Sequence, residues 1–122
     1  MNIPENPLPS CPDSPNCYRI TEVFEGDSTE VYQAFEKSIH SEGPFNIETD
    51  ITGENLTISA TYKIPVFDWL DDVKIILEST SKNKKFTFVH LKSASRDGYY
   101  DLGVNKRRIN RILEKARKEL NH

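Results

Sequence analysis

No stretch of this 122-residue chain approaches the ~20 consecutive apolar residues that a membrane helix requires. The first residues, Met-Asn-Ile-Pro-Glu-Asn-Pro, lack the basic and apolar blocks of a secretory leader, so a cytoplasmic setting is expected, although exported or membrane-associated relatives stay open. Cysteine is scarce. Cys11 and Cys17 alone cannot complete a four-ligand zinc site, and no His stands at local ligand spacing. Apolar residues make up only 36% of the chain, and mean hydropathy is -0.62. That suffices for one core at this length, with about two-thirds of the unfolded surface buried. No cofactor-binding motif and no internal repeat stands out.

What is present is unevenly placed. Residues 1–60 carry two basic side chains against eleven acidic ones, a balance of -9, and residues 61–122 carry +6. Lys106, Arg107, Arg108, Arg111, Lys115, Arg117 and Lys118 gather in the last helix-like segment. Such a stripe can meet nucleic acid or an anionic partner, or form a solvated face neutralised by the acidic half of the same fold. With a pI near 5.6 the second reading is preferred, because nucleic-acid binders are usually basic overall.

Residues 1–17 hold five of the seven prolines and read as an extended arm preceding an α+β domain over 18–122. Tyr18 to Glu25 reads as a strand. Asp27 and Glu30 have the spacing of a capping box, and Val31, Ala34, Phe35, Ser38 and Ile39 then mark one face of an amphipathic helix. Gly43-Pro44 ends it. Strands follow at Phe45–Ile51, Leu56–Ile64, from Val73, and at Phe86–Leu91, each by alternation or apolar content. Pro65 to Asp72 reads as a connection whose Phe67, Trp69 and Leu70 form a flap over the core or an exposed partner patch. The last helix runs from near Ile109 to Leu120. The expected fold is a five-stranded, largely antiparallel sheet with two helices on one face, in the order β-α-β-β-β-β-α.

Between the last strand and the last helix lies a polar run, Lys92-Ser-Ala-Ser-Arg-Asp-Gly-Tyr-Tyr-Asp-Leu-Gly-Val-Asn-Lys-Arg-Arg-Ile109. Gly98 and Gly103 allow sharp turns, and the run feeds a helix N-terminus whose free N–H groups favour an anion. Asn16, Ser93, Ser95, Arg96, Asp101 and Asn105 are the candidate cluster. It either holds a small anion or forms a polar network stapling the N-terminal arm to the helix, with Asp101 as the helix cap and Asn105 on the inward face. Arg96 has Asp71, Asp72 and Asp97 as candidate partners. Asp71 and Asp72 are adjacent, so in a strand they face opposite ways and cannot form an acid/base dyad. A Ser93 or Ser95, His90 and Asp101 triad can be written on paper, but no nucleophile motif supports it, and no metal or catalytic residue is assigned. A local disulfide between Cys11 and Cys17 is geometrically possible, but a reducing cytosol argues against it as a permanent bond; paired structural thiols, a redox-labile pair and an ancestral disulfide of exported relatives stay open, with a structural role preferred.

Three motifs resemble a family. Cys11-Pro-Asp-Ser-Pro-Asn-Cys17 is similar to an opening Cys-Pro-x-Ser-Pro-Asn-Cys. Phe67 through Asp71-Asp72-Val73 is similar to a Phe-x-Asp-Asp-Val/Ile segment. Residues 93–109 match Ser-Ala-Ser-Arg-x-Gly-x-x-Asp-x-Gly-x-Asn-x-x-Arg-Ile. Together they resemble the bacterial domain-of-unknown-function family 1499 over residues 11–120. The resemblance implies where to look and no established activity. Three functions are therefore carried: a non-enzymatic binding or accessory module; an enzyme acting on a small anionic substrate, with Arg96 as clamp and His90 or Asp101 moving the proton; and a partner or nucleic-acid surface on the basic helix.

Overall fold

The computed structural model describes residues 3–12, 16–52, 55–64, 69–79, 85–96 and 103–121. Its elements are β1 (Cys17–Glu25), α1 (Ser28–Ser41), β2 (Asn46–Thr52), β3 (Asn55–Ile64), β4 (Trp69–Ser79), β5 (Phe86–Ser95) and α2 (Val104–Leu120). The five strands form one antiparallel sheet in the order β1-β5-β4-β3-β2: short connections make β2 to β5 a meander, and β1 adds to it beside β5. Both helices lie on one face, α1 over β3, β4 and β5 and α2 over β5 and β1. No helix among the described residues is long and apolar enough to cross a membrane.

α1 forms as its sequence dictates. Asp27 caps it, its carboxylate accepting the Glu30 N–H at 2.8 Å, and Gly43 leaves it at φ 70°, where a Cβ would be strained. Its buried residues are Val31, Ala34, Phe35, Ser38 and Ile39, the stripe expected from their spacing. They meet Ile58, Ile75 and Leu91 from the sheet and Ile109, Ile112 and Leu113 from α2 in one core. Two strands depart from expectation. β4 begins at Trp69, so half of the expected connection is strand, and Trp69 is 37% exposed; Phe67 lies outside the described residues. β5 runs on to Ser95 because Lys92–Ser95 keep backbone pairing with both β1 and β4 despite their polarity.

The two helices are also tied by polar contacts. Ser38 Oγ donates to the Ile112 carbonyl at 2.7 Å in the core. At the end of α1, the Glu42 carboxylate, 8% exposed, accepts from Arg111 at 2.7 Å and from Lys115. Burial alone would raise the Glu42 pKa, but the hydrogen bonds and charges of Lys115 and Arg111 outweigh it and hold the carboxyl below its usual range. A depressed folded-state pKa contributes stability that is complete above the unfolded value and is lost as pH falls through the folded one. Glu42→Gln should therefore destabilise the protein at neutral pH and flatten the acid limb of its stability curve, roughly between pH 5 and 3. Urea melts of both proteins across that range are the check; parallel acid limbs would mean that Glu42 contributes nothing to them.

Candidate functional site

The buried stripe of α2 begins with two polar residues. Asn105 is 0% and Arg108 5% exposed, and Ile109, Ile112, Leu113 and Ala116 continue the face. Opposite them the sheet also turns polar. Asp71 on β4 and Ser93 on β5 face the helices at 1% and 0% exposure, and the register sets Ser95 beside Asp71 and Val73 beside Ser93. The cluster is thus the meeting of two polar ends of otherwise apolar faces.

Asn105 is its hub. Its Oδ1 accepts from Ser93 Oγ at 2.6 Å and from Arg108 Nη1 at 3.0 Å. Its Nδ2 donates to the Asn16 carbonyl at 3.0 Å and to Ser95 Oγ at 3.0 Å. The Asn16 carbonyl also accepts the Ser95 N–H at 3.0 Å, so the residue before β1 is bonded both to β5 and to α2. Immediately beyond it, Cys17 is bridged to Cys11 by a disulfide with a Cα–Cα separation of 5.6 Å, within the usual span. The arm is held further along by Arg19 Nη1 on the Leu8 carbonyl, 2.7 Å, and by Asn6 Nδ2 on the Ile20 carbonyl, 3.2 Å.

Arg108 supplies the buried cation. Its Nη1 lies 2.8 Å from Asp71 Oδ2, and its guanidinium sits 4.8 Å from the Tyr62 ring centroid, a cation–π contact. Nη1 aims its hydrogens at Ser93 Oγ, 3.2 Å, and Asn105 Oδ1, so charge rather than a directed hydrogen bond holds Asp71. Neither Asp71 oxygen has a hydrogen-bond partner among the described residues. Burial pushes the Tyr62 hydroxyl pKa upward, against the nearby Arg108 charge, and its O–H donates to the Ile39 carbonyl at 3.0 Å.

The expected members divide. Asn16, Ser93, Ser95 and Asn105 come together. Arg96 does not join them: it lies on the opposite face of the sheet and grips Asp72 with two bonds of 2.7 and 2.8 Å, both side chains about half exposed. Side chains alternate along a strand, so Arg96 and Asp72 share one face while Ser95 and Asp71 share the other. Asp101 lies outside the described residues. The α2 cap position is Gly103 rather than Asp101, at φ 79° and with no side-chain cap bond. Asp71 and Arg108 are the members that the sequence reading lacks: Asp71 enters there only as a partner for Arg96, and Arg108 only as part of a solvated basic run. The phase of Arg108 was in the sequence, since it stands four residues before Ile112 and three after Asn105.

His90 is away from the cluster as well. On the face opposite the helices, and 0% exposed, it bonds Thr21 Oγ1 through Nδ1 at 2.8 Å and Glu78 Oε2 through Nε2 at 3.0 Å. A hydroxyl, an imidazole and a carboxylate in series resemble a nucleophile–base–orienter set. With the imidazole sealed from solvent, they make a cross-strand brace over β1, β5 and β4. Among the described residues no three His, Cys, Asp or Glu side chains gather as metal ligands. The basic helix is largely answered by acids: Arg111 and Lys115 by Glu42, Arg117 by Glu22 at 3.5 Å, and Lys118 by Glu114 at 3.3 Å.

No curated protein matches the chain. The family model described as a protein of unknown function, DUF1499, matches residues 7–115, from the arm through most of α2. On that match, which takes in the disulfide, the buried polar cluster and the sheet between them, the chain belongs to the DUF1499 family.

Proposed function

We propose that this domain is a non-catalytic binding or accessory module in which the cluster of Asn16, Ser93, Ser95 and Asn105, with Asp71 and Arg108, is a structural staple. The observation that carries the reading is the closure of the network. Ser93 and Asn105 are fully buried, their polar groups are spent within the cluster, and its buried cation, Arg108, is already matched by Asp71. Arg96, the residue best suited to clamp an anion, has its fork on Asp72.

A small-anion site at the start of α2 is the second reading, supported by a first turn with no acidic residue and no side-chain cap, beside an exposed Lys106. Thermal-shift titration with phosphate and sulfate separates the two. The staple reading expects no concentration-dependent rise in Tm, and expects Arg96→Ala to cost no more than about 1 kcal/mol, as for other exposed pairs. A rise that saturates and is abolished by Lys106→Ala would overturn it in favour of anion recognition.

A further inference from the structure

One edge of the sheet is finished and the other is not. β1 and β2 are the two edge strands; beside β1 the arm and the disulfide are tied down, whereas among the described residues no segment is tied to the outer side of β2. Which of its backbone groups are free follows from the ladder. The Arg96 N–H donates to the Leu70 carbonyl at 2.9 Å, so even-numbered residues of β4 point toward β5 and odd-numbered ones toward β3. Carried across the registers of β3 and β2, this aims the N–H and C=O groups of Ile47, Thr49 and Ile51 away from the sheet. The Ile51 N–H confirms it, since it is taken by the Asp50 side chain at 2.8 Å instead of by the ladder.

The two faces beside this edge differ in chemistry. On the helix side Ile51 is 70% exposed, because the helices lie over the other strands, and a depression of about 370 Å³ opens between Tyr32, Thr49, Ile51 and Leu56. On the opposite side Glu48 and Asp50 are exposed, and β2 carries no basic residue. A second copy of β2 laid antiparallel about Thr49 would set Glu48 beside the other copy's Asp50 twice, and like charges directly opposite are destabilising. The same carboxylates that guard the edge against self-pairing therefore favour a cationic neighbour.

We propose that β2 is a docking edge for an extended segment of another polypeptide in which basic and apolar residues alternate. Its backbone pairs with Ile47, Thr49 and Ile51, its apolar side chains enter the depression beside Tyr32, and its lysines or arginines meet Glu48 and Asp50. On docking, an incoming carbonyl replaces Asp50 on the Ile51 N–H and frees that carboxylate for the partner's cation. The inference rests on reading the domain as a binding module. It fails separately, however, because the anion titration above does not involve this edge.

The test is binding of the full chain to a labelled seven-residue peptide alternating Lys and Val, against a Glu–Val peptide of the same length, followed by fluorescence polarisation and amide NMR. The Lys peptide should bind about tenfold or more tighter, the equivalent of ~1.4 kcal/mol, and weaken with salt. Shifts should centre on Ile47, Thr49 and Ile51. Thr49→Pro should abolish binding while the protein stays folded, since an outward-facing edge N–H is where proline is tolerated in a sheet. Glu48→Lys with Asp50→Lys should reverse the preference between peptides. Equal binding of the two peptides, binding indifferent to Thr49→Pro, or no binding would each overturn the proposal. So would self-association removed by Thr49→Pro, which would make a second copy the occupant.

Discussion

Arg108→Ala is expected to cost about 3–5 kcal/mol of unfolding free energy, because it leaves Asp71 as a charge sealed from water without its counter-ion. Asp71 is 1% exposed and Arg108 5%, and the Asp71 carboxylate has no other partner among the described residues. The arginine also donates to Ser93 and Asn105 and covers Tyr62, so its loss reaches three neighbours. Replacing both members, Asp71→Leu with Arg108→Met, should cost less than Arg108→Ala alone, since neither buried charge is then left uncompensated. A chemical-denaturation double-mutant cycle measures this. A loss under about 1 kcal/mol for the single change would place the pair with exposed ion pairs and dissolve the staple.

Asn105→Ala should cost about 2–3 kcal/mol, the penalty for stranding buried donors and acceptors. Its distinguishing effect is local. With the Nδ2 bonds to the Asn16 carbonyl and Ser95 Oγ gone, the start of β1 loses its tie to α2, while its bond to the Ser95 N–H and the disulfide remain. Hydrogen exchange at Tyr18 and Ser95, and proteolysis within the arm, should speed up more than at Ile75 or Leu91 in the sheet centre. Uniform acceleration everywhere would mean that Asn105 supports the fold without fastening the arm.

Patterning explains what was legible beforehand. α1 could be read to the residue, since a cap, an apolar stripe and a Gly-Pro stop all agreed over Asp27–Pro44. The meander was legible wherever apolar and polar residues alternated, as from Leu56 to Ile64. Lys92–Ser95 looks like loop in the sequence because alternation vanishes when the buried partners are themselves polar. Ser93 faces Asn105 rather than a leucine, and composition cannot distinguish that from exposure. Arg108 hid for a related reason, standing in a basic run whose other members are exposed. Arg96 suits the cluster as a positive charge beside a helix start, but it follows Ser95 in the strand and adjacent strand residues face opposite sides. Of the polar cluster, the hydrogen-bonding members Asn16, Ser93, Ser95 and Asn105 are therefore legible in the sequence, and the buried Asp71–Arg108 pair is not.

The attachment of the N-terminal arm has a consequence under stress. It is secured by a covalent link, Cys11–Cys17, and by a polar one, the Asn16 carbonyl against Asn105 and Ser95. These yield to different agents: a reductant opens the first and leaves the second intact, while heat or denaturant attacks the second and spares the first. Losing the polar link alone loosens the segment while the disulfide still closes its loop, so full release demands two unrelated insults at once.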